Sequence, residues 1–299
     1  MQYIRKDSSR KRLPPISILI GKPRLTTVLV IGAVAVTFLI LYLTRSSSNA
    51  SLLCYDSSDV PFTEADALIA AEFEKTPSPL VAILHYVTSP VTPQLSLAEA
   101  RGPFDILLSL APCNFLIFGS GHDSLMWDSF NPHGTTLFLE EDPKWLRSIL
   151  RRFPVLDVRI MRYGTRLSDA DALLSSYKED CWGANVTVRL KGNEGCKLAL
   201  NNMPEEVYSK DWDIILIDGP RGYEASLPGR MAVIYSAAVM ARGRKKPGVT
   251  HVFVHDVDRK VERTYAKEFL CLKYKVSEVG RLWHFVIPPA INFDDHGFC

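Results

Sequence analysis

From residue 114 onward, short apolar runs alternate with stretches of helical periodicity, and that alternation leaves few architectures open: it is the pattern of βαβ units wound into a mostly parallel sheet. Strands are expected at residues 114–118, 135–139, 155–162, 213–217 and 249–254, with helices at 123–130, 143–153, 169–177 and 228–242. A helix at 260–270 then precedes two apolar runs, 273–278 and 283–287, near enough in sequence to pair as an antiparallel hairpin that closes the sheet. The fold class that follows is α/β and Rossmann-like. Two helices should come before the first strand. One starts at Thr63, where Glu64 and Asp66 follow a capping threonine and Ala67, Leu68, Ala70, Ala71 and Phe73 make an apolar face; the other covers 96–110. No internal repeat interrupts this domain, expected to span 61–299.

Residues 25–44 (LTTVLVIGAVAVTFLILYLT) are uncharged and match the ~20 residues that a membrane-spanning helix needs. A cleaved signal peptide would have a shorter apolar core and a small-x-small site, which is missing before Arg45. Arg5, Lys6, Arg10, Lys11, Arg12, Lys22 and Arg24 all precede the run, so the positive-inside rule keeps residues 1–24 cytosolic and sends the rest into a lumen. This type II topology is common among Golgi-resident enzymes, and a Golgi membrane location is expected. The Ser- and Asp-rich residues 45–60 read as a stem. The formal charge of +2, from 35 basic and 33 acidic residues, argues against nucleic acid as a partner. Cys54, Cys113, Cys181, Cys196, Cys271 and Cys299 all follow the anchor, in an oxidising space, but their spacing names no pairs and leaves disulfides and buried thiols both open. No C-x-x-C suggests zinc or thioredoxin chemistry. Asn49 and Asn185 begin glycosylation sequons.

Four phrases carry chemistry, each at the carboxyl end of an expected strand, where open α/β sheets bind ligands. In FLIFGSGHDS (115–124) a strand runs into Gly119-Ser120-Gly121 and a helix start, making Gly119, Gly121, His122, Asp123 and Ser124 candidates to line a nucleotide-type cofactor. The glycines fall short of G-x-G-x-x-G, which favours a cofactor without pyrophosphate; an ordinary tight βα turn is the alternative. In TTLFLEED (135–142) a second strand ends in acids, and Glu140 or Glu141 can accept both hydroxyls of a ribose, whereas Asp142 reads as the cap of the next helix.

DWDIILIDGPRGY (211–223) places Asp218 at a strand end, with Arg221 and Tyr223 facing the same crevice. Turn amides satisfying a buried Asp218 are the alternative. Arg221 and Arg230 suit bidentate contact with an acidic sugar, though ion pairing would explain either arginine equally well. THVFVHDVDR (250–259) ends in His255, Asp256, Asp258 and Arg259. Turning a hydroxyl into a nucleophile needs a base to take its proton or a metal to lower its pKa. His255 is the candidate base with Asp256 orienting it, and Asp218 with Asp256 is a candidate pair of ligands for a divalent cation. A core histidine and a helix-capping aspartate remain the plainer reading.

Together, FGSGHDSLMW, TTLFLEED, DWDIILIDGPRGYEASLPGRMAVIYSAAVMARGR and THVFVHDVDRKVERTYAKEFLC resemble the plant cell-wall polysaccharide methyltransferases, over roughly residues 61–288. The resemblance implies a class I methyltransferase fold, S-adenosylmethionine as cofactor, and a polysaccharide or proteoglycan acceptor whose glucuronic acid is methylated on its 4-hydroxyl in the Golgi. That family also contains irregular-xylem proteins of less clear enzymatic role, so a non-catalytic scaffold is the alternative. The GHDSLMW phrase and the pair Glu140 and Glu141 resemble the methylating branch, and residues 244–250 the arabinogalactan type more than the glucuronoxylan type. Asp218, His255 and Asp256 are expected at the reacting centre.

Overall fold

The computed structural model describes residues 77–91, 94–182, 189–290 and 298–299. The expected anchor at 25–44, the stem, the helix from Thr63, Cys54 and both sequons lie outside these residues. Among the described residues no helix is long and apolar enough to cross a membrane. All of them belong to one unit, residues 58–299.

The strands are β1 Asn114–Phe118, β2 Thr135–Glu140, β3 Asp157–Ile160, β4 Ile214–Ile217, β5 Thr250–Val254, β6 Lys275–Val279 and β7 Leu282–Ile287. They form one sheet in the order β3-β2-β1-β4-β5-β7-β6. The pairs from β3 to β5 are parallel, while β7 runs antiparallel to both β5 and β6. This is the expected mostly parallel α/β methyltransferase fold with its antiparallel closure. β4, with all four residues buried, is continuously apolar because helices cover both faces of the sheet.

Helices α1 Ser78–Thr88, α2 Leu97–Leu110, α3 Ser124–Ser129, α4 Pro143–Arg152, α5 Ala170–Cys181, α6 Glu205–Ser209, α7 Met231–Arg242 and α8 Lys260–Tyr265 surround it, and α8 continues as a π turn, Ala266–Cys271. The sheet separates two apolar layers. Phe118, Ile217 and Val254 face α5, α7 and the π turn, while Ile117, Leu216 and Phe253 face Leu107 of α2, Trp127 of α3 and Ile149 of α4. Helix α7 is buried on nearly every side, and its alanines let it lie close to the sheet.

Several bounds differ from expectation for local reasons. The third strand begins at Asp157 because Leu156 turns back to bond the Phe153 carbonyl. The helix expected from 228 begins at Met231, after Gly229 takes φ +68°. The sixth strand follows a 3-10 turn, Leu272–Tyr274. Helices α1 and α6 were not anticipated. Cys181 bonds Cys196 and Cys271 bonds Cys299, while Cys113 is a buried thiol.

Candidate active site

Parallel register decides which side chains meet. Phe118 lies level with Leu139 and Ile217, and Ile217 with Val254, so the next residues, Gly119, Glu140, Asp218 and His255, emerge together at the carboxyl edge of the sheet. Gly119, Glu140 and Asp218 border a cleft of about 560 Å³, within the range of small-molecule sites.

The ends of β1 and β2 form one wall. Gly119 has φ +97°, and a Cβ there would sit 3.0 Å from the Gly219 nitrogen; a Cβ on Gly219 would sit 2.7 Å from the Gly119 Cα. The β1 and β4 turns therefore touch backbone to backbone, which only glycine permits. The buried Glu140 accepts from the Ser120 amide (3.0 Å), the Ser120 hydroxyl (2.7 Å) and the Asp142 amide (2.8 Å). Burial raises its carboxyl above the usual range. The Gly121 amide donates to Ser124 Oγ (2.9 Å). With two loop amides already engaged, the turn has no nest for a pyrophosphate, but Glu140 keeps lone pairs for a ribose diol. Asp123 accepts from Trp127 Nε1 (2.8 Å), and burial together with nearby Asp218 pushes its carboxyl up to about 6.

Two expectations shift on this wall. His122 does not line the cleft: its carbonyl accepts from the Tyr86 hydroxyl (2.6 Å) and its ring packs edge-on against Trp145. Glu141 points away from Glu140, its Oε1 accepting from the Arg221 amide (3.0 Å) and Nε (2.8 Å). Asp142 caps α4 as read, accepting from the Lys144 amide at 2.8 Å.

The ends of β4 and β5 form the other wall. Asp218 Oδ1 meets His255 Nδ1 at 2.8 Å and Arg230 Nη2 at 3.2 Å, while Oδ2 carries no hydrogen bond among the described residues. Burial pushes the Asp218 carboxyl up, but His255 and Arg230 outweigh it and hold the group below its ordinary value. His255 is 1% exposed and lies behind Asp218, outside the cleft lining. Its Nε2 faces Glu99 Oε1 at 3.8 Å. The expected orienting acid, Asp256, is 3.7 Å from Nδ1 and too far for a hydrogen bond; Asp218 takes that place. Direct deprotonation of a substrate by His255 does not fit this burial, whereas Asp218 borders the cleft.

Arg230, expected at the sugar carboxylate, is a bolt between strand ends. It donates to the carbonyls of Pro220 (3.2 Å), His255 (2.9 Å) and Asp218 (2.6 Å), and pairs with Asp256 Oδ2 at 2.9 Å. Asp256, at φ +60°, also receives Arg259 on Oδ2 (3.0 Å) and Arg281 on Oδ1 (2.6 Å). Donor atoms of Asp218, His255 and Asp256 lie within 4.8 Å of one another. This mixed oxygen and nitrogen set is of a kind that binds divalent ions. The guanidinium of Arg230 nevertheless fills the place between the two carboxylates, so the residues as arranged do not fit a bridging metal. Tyr223 stands 60% exposed on the rim.

Sequence reasoning missed Glu99 and Arg281, and saw Arg259 without giving it a role. Glu99 closes the capping box of α2 with Ser96 and accepts from the Arg281 amide (2.8 Å). Burial raises its carboxyl, but these bonds prevail and bring it to about 2. Only the capping signal, Ser96-x-x-Glu99, is local. Arg259 ends the β5 phrase and lines the cleft.

The chain is 51% identical to arabinogalactan O-methyltransferase 1 of Arabidopsis thaliana, over 92% of this chain and 96% of that protein. It is 46% identical to arabinogalactan O-methyltransferase 2 of the same plant, over 93% of this chain and 94% of that one. Its identity to glucuronoxylan 4-O-methyltransferase 1 of Arabidopsis thaliana is 41%, over 84% of this chain and 87% of that one. The family model described as IRX15/IRX15L/GXM matches residues 98–285, from α2 to β7 and across every strand end that borders the cleft; the chain belongs to that family.

Proposed function

We propose that the chain is an S-adenosylmethionine-dependent O-methyltransferase acting on the 4-hydroxyl of glucuronic acid side groups of a cell-wall glycan, with arabinogalactan preferred to glucuronoxylan. The observation that carries this reading is the joint placement of Gly119, Glu140 and Asp218 at one sheet edge in a chain of this family. The higher identity to the two arabinogalactan enzymes supports the acceptor preference.

The cofactor's positive sulfonium would supply the methyl group. Glu140 is the residue to hold its ribose, and the Gly119 turn lets the backbone approach it closely. Asp218 Oδ2 is the atom to receive the proton released by the acceptor hydroxyl, since Oδ1 is already fixed by His255 and Arg230. His255 then orients and polarises Asp218 from behind. Arg230 supplies the positive charge beside the reacting centre.

Residues 25–44 would tether the chain to the Golgi membrane with its methyltransferase domain in the lumen, and the disulfides Cys181–Cys196 and Cys271–Cys299 suit that oxidising compartment. The test is transfer of labelled methyl from S-adenosylmethionine by the full chain to arabinogalactan and to unmethylated glucuronoxylan, with and without a chelator. Label on O4 of glucuronic acid, greater on arabinogalactan, is expected. Cofactor binding without label on either glycan would overturn the acceptor, and no cofactor binding would favour the scaffold. Activity that survives chelation leaves Arg230 as the resident cation; activity lost and restored by a divalent ion means that an ion displaces it.

A further inference from the structure

A uronate acceptor brings a negative charge into a cleft already rich in carboxylates, so it needs a cation with open donors. The cations lining the cleft, among the described residues, are Arg221, Arg230 and Arg259. Arg230 is 4% exposed and engaged along its whole guanidinium. Arg259 has Nη2 on Asp256, and its Nη1, without a hydrogen bond among the described residues, is buried 3.8 Å from Glu262. Arg221 differs from both. Its backbone N–H and Nε are held by the same oxygen of Glu141, while its terminal nitrogens make no hydrogen bond among the described residues, Nη2 lying 3.8 Å from Asp142.

The exposures point the same way. In an ordinary surface ion pair both ends are solvated and the pair contributes little. Here the Glu141 side chain is 12% exposed and that of Arg221 50%, so a sheltered acid fixes an open cation. A guanidinium held by Nε and backbone N–H has two terminal nitrogens left in one plane, the geometry that matches a carboxylate by two parallel bonds.

Resting on the methyltransferase reading above, we propose that Glu141 is the positioning residue for the acceptor: it holds Arg221 so that the terminal edge of the guanidinium clamps the uronate carboxylate. The two neighbouring acids at the end of β2 thus serve different substrates. Glu140 turns to the cofactor turn through Ser120, and Glu141 turns to the acceptor through Arg221.

The experiment compares a glucuronic acid-bearing oligosaccharide with the same oligosaccharide reduced to the alcohol at its carboxyl group. Binding to the full chain is titrated calorimetrically with S-adenosylhomocysteine present, and KM and kcat are measured alongside. The wild type should prefer the uronate. Arg221→Ala should weaken uronate binding by roughly tenfold to a hundredfold, and Glu141→Ala by roughly fivefold to tenfold, through KM rather than kcat. Neither should change cofactor affinity or binding of the reduced acceptor, and the double variant should bind the uronate no worse than Arg221→Ala alone. If Glu141→Ala lowers the thermal midpoint, Glu141→Gln gives the same reading with the volume kept. Equal weakening toward both acceptors, a fall in cofactor affinity, or no effect of Glu141 would overturn the assignment. A wild type that binds both acceptors equally yet still methylates would overturn it and leave the methyltransferase reading standing; failure to methylate any uronate glycan would strike that reading itself.

Discussion

At the ends of β1 and β2 the cleft wall is built around a backbone turn, Gly119 to Gly121, tied to the sheet through Ser120 and Glu140; at the ends of β4 and β5 it is built from buried charge, with Asp218, His255 and Asp256 held among Arg230, Arg259, Arg281 and Glu99. The first wall comes from a single stretch of chain between residues 114 and 142, the second from segments that begin at α2 and end at the turn between β6 and β7. Their failure modes differ accordingly. A backbone wall fails when a side chain intrudes, whereas a wall of buried ions fails when any partner is withdrawn, because the charge left behind is uncompensated.

Three substitutions would break or sharpen that contrast. Arg230→Ala should have the largest effect, destabilising the fold by about 3–5 kcal/mol, since it strips a buried cation from Asp218 and Asp256 together. Urea unfolding measures it, and a loss under about 1 kcal/mol would mean that the second wall does not depend on its charges. Glu140→Gln should weaken S-adenosylmethionine binding by about 1.5–3 kcal/mol in calorimetry, with a smaller change in folding stability. Unchanged affinity would remove the one side chain assigned to the cofactor on the backbone wall. Asp142→Ala should lower stability by about 1 kcal/mol through loss of the α4 cap, read as a thermal shift of about 2–4 °C. A far larger shift would show that this wall also relies on charge, through the contact of Asp142 with Arg221.

The same contrast explains what sequence reasoning reached. The strands, the glycine turn and the acids after β2 were legible because strand, turn and cap signals are local. Their positions at one edge followed from parallel register. Orientation was not legible. Nothing in TTLFLEED distinguishes Glu140, which turns to Ser120, from Glu141, which turns to Arg221. Arg230 suits a sugar carboxylate or an ion pair equally well in the sequence, and only the fold decides, because the carbonyls that occupy its donors belong to three separate residues. His255 was rightly placed at a strand end and wrongly paired, since the strand order that puts Asp218 beside it is a property of the sheet. Glu99 and Arg281 meet only because α2 packs beside the β6–β7 turn, a contact with no trace in either segment alone.

The backbone contact between Gly119 and Gly219 carries a consequence for inheritance. Each position is bare because the other occupies its space, so a mutation at either one meets the same obstacle and neither can compensate for the other. Both turns would have to be pried apart before any side chain fitted. Two codons far apart in the gene therefore share one fate, and the seam between β1 and β4 stays closed to a side chain from either of them.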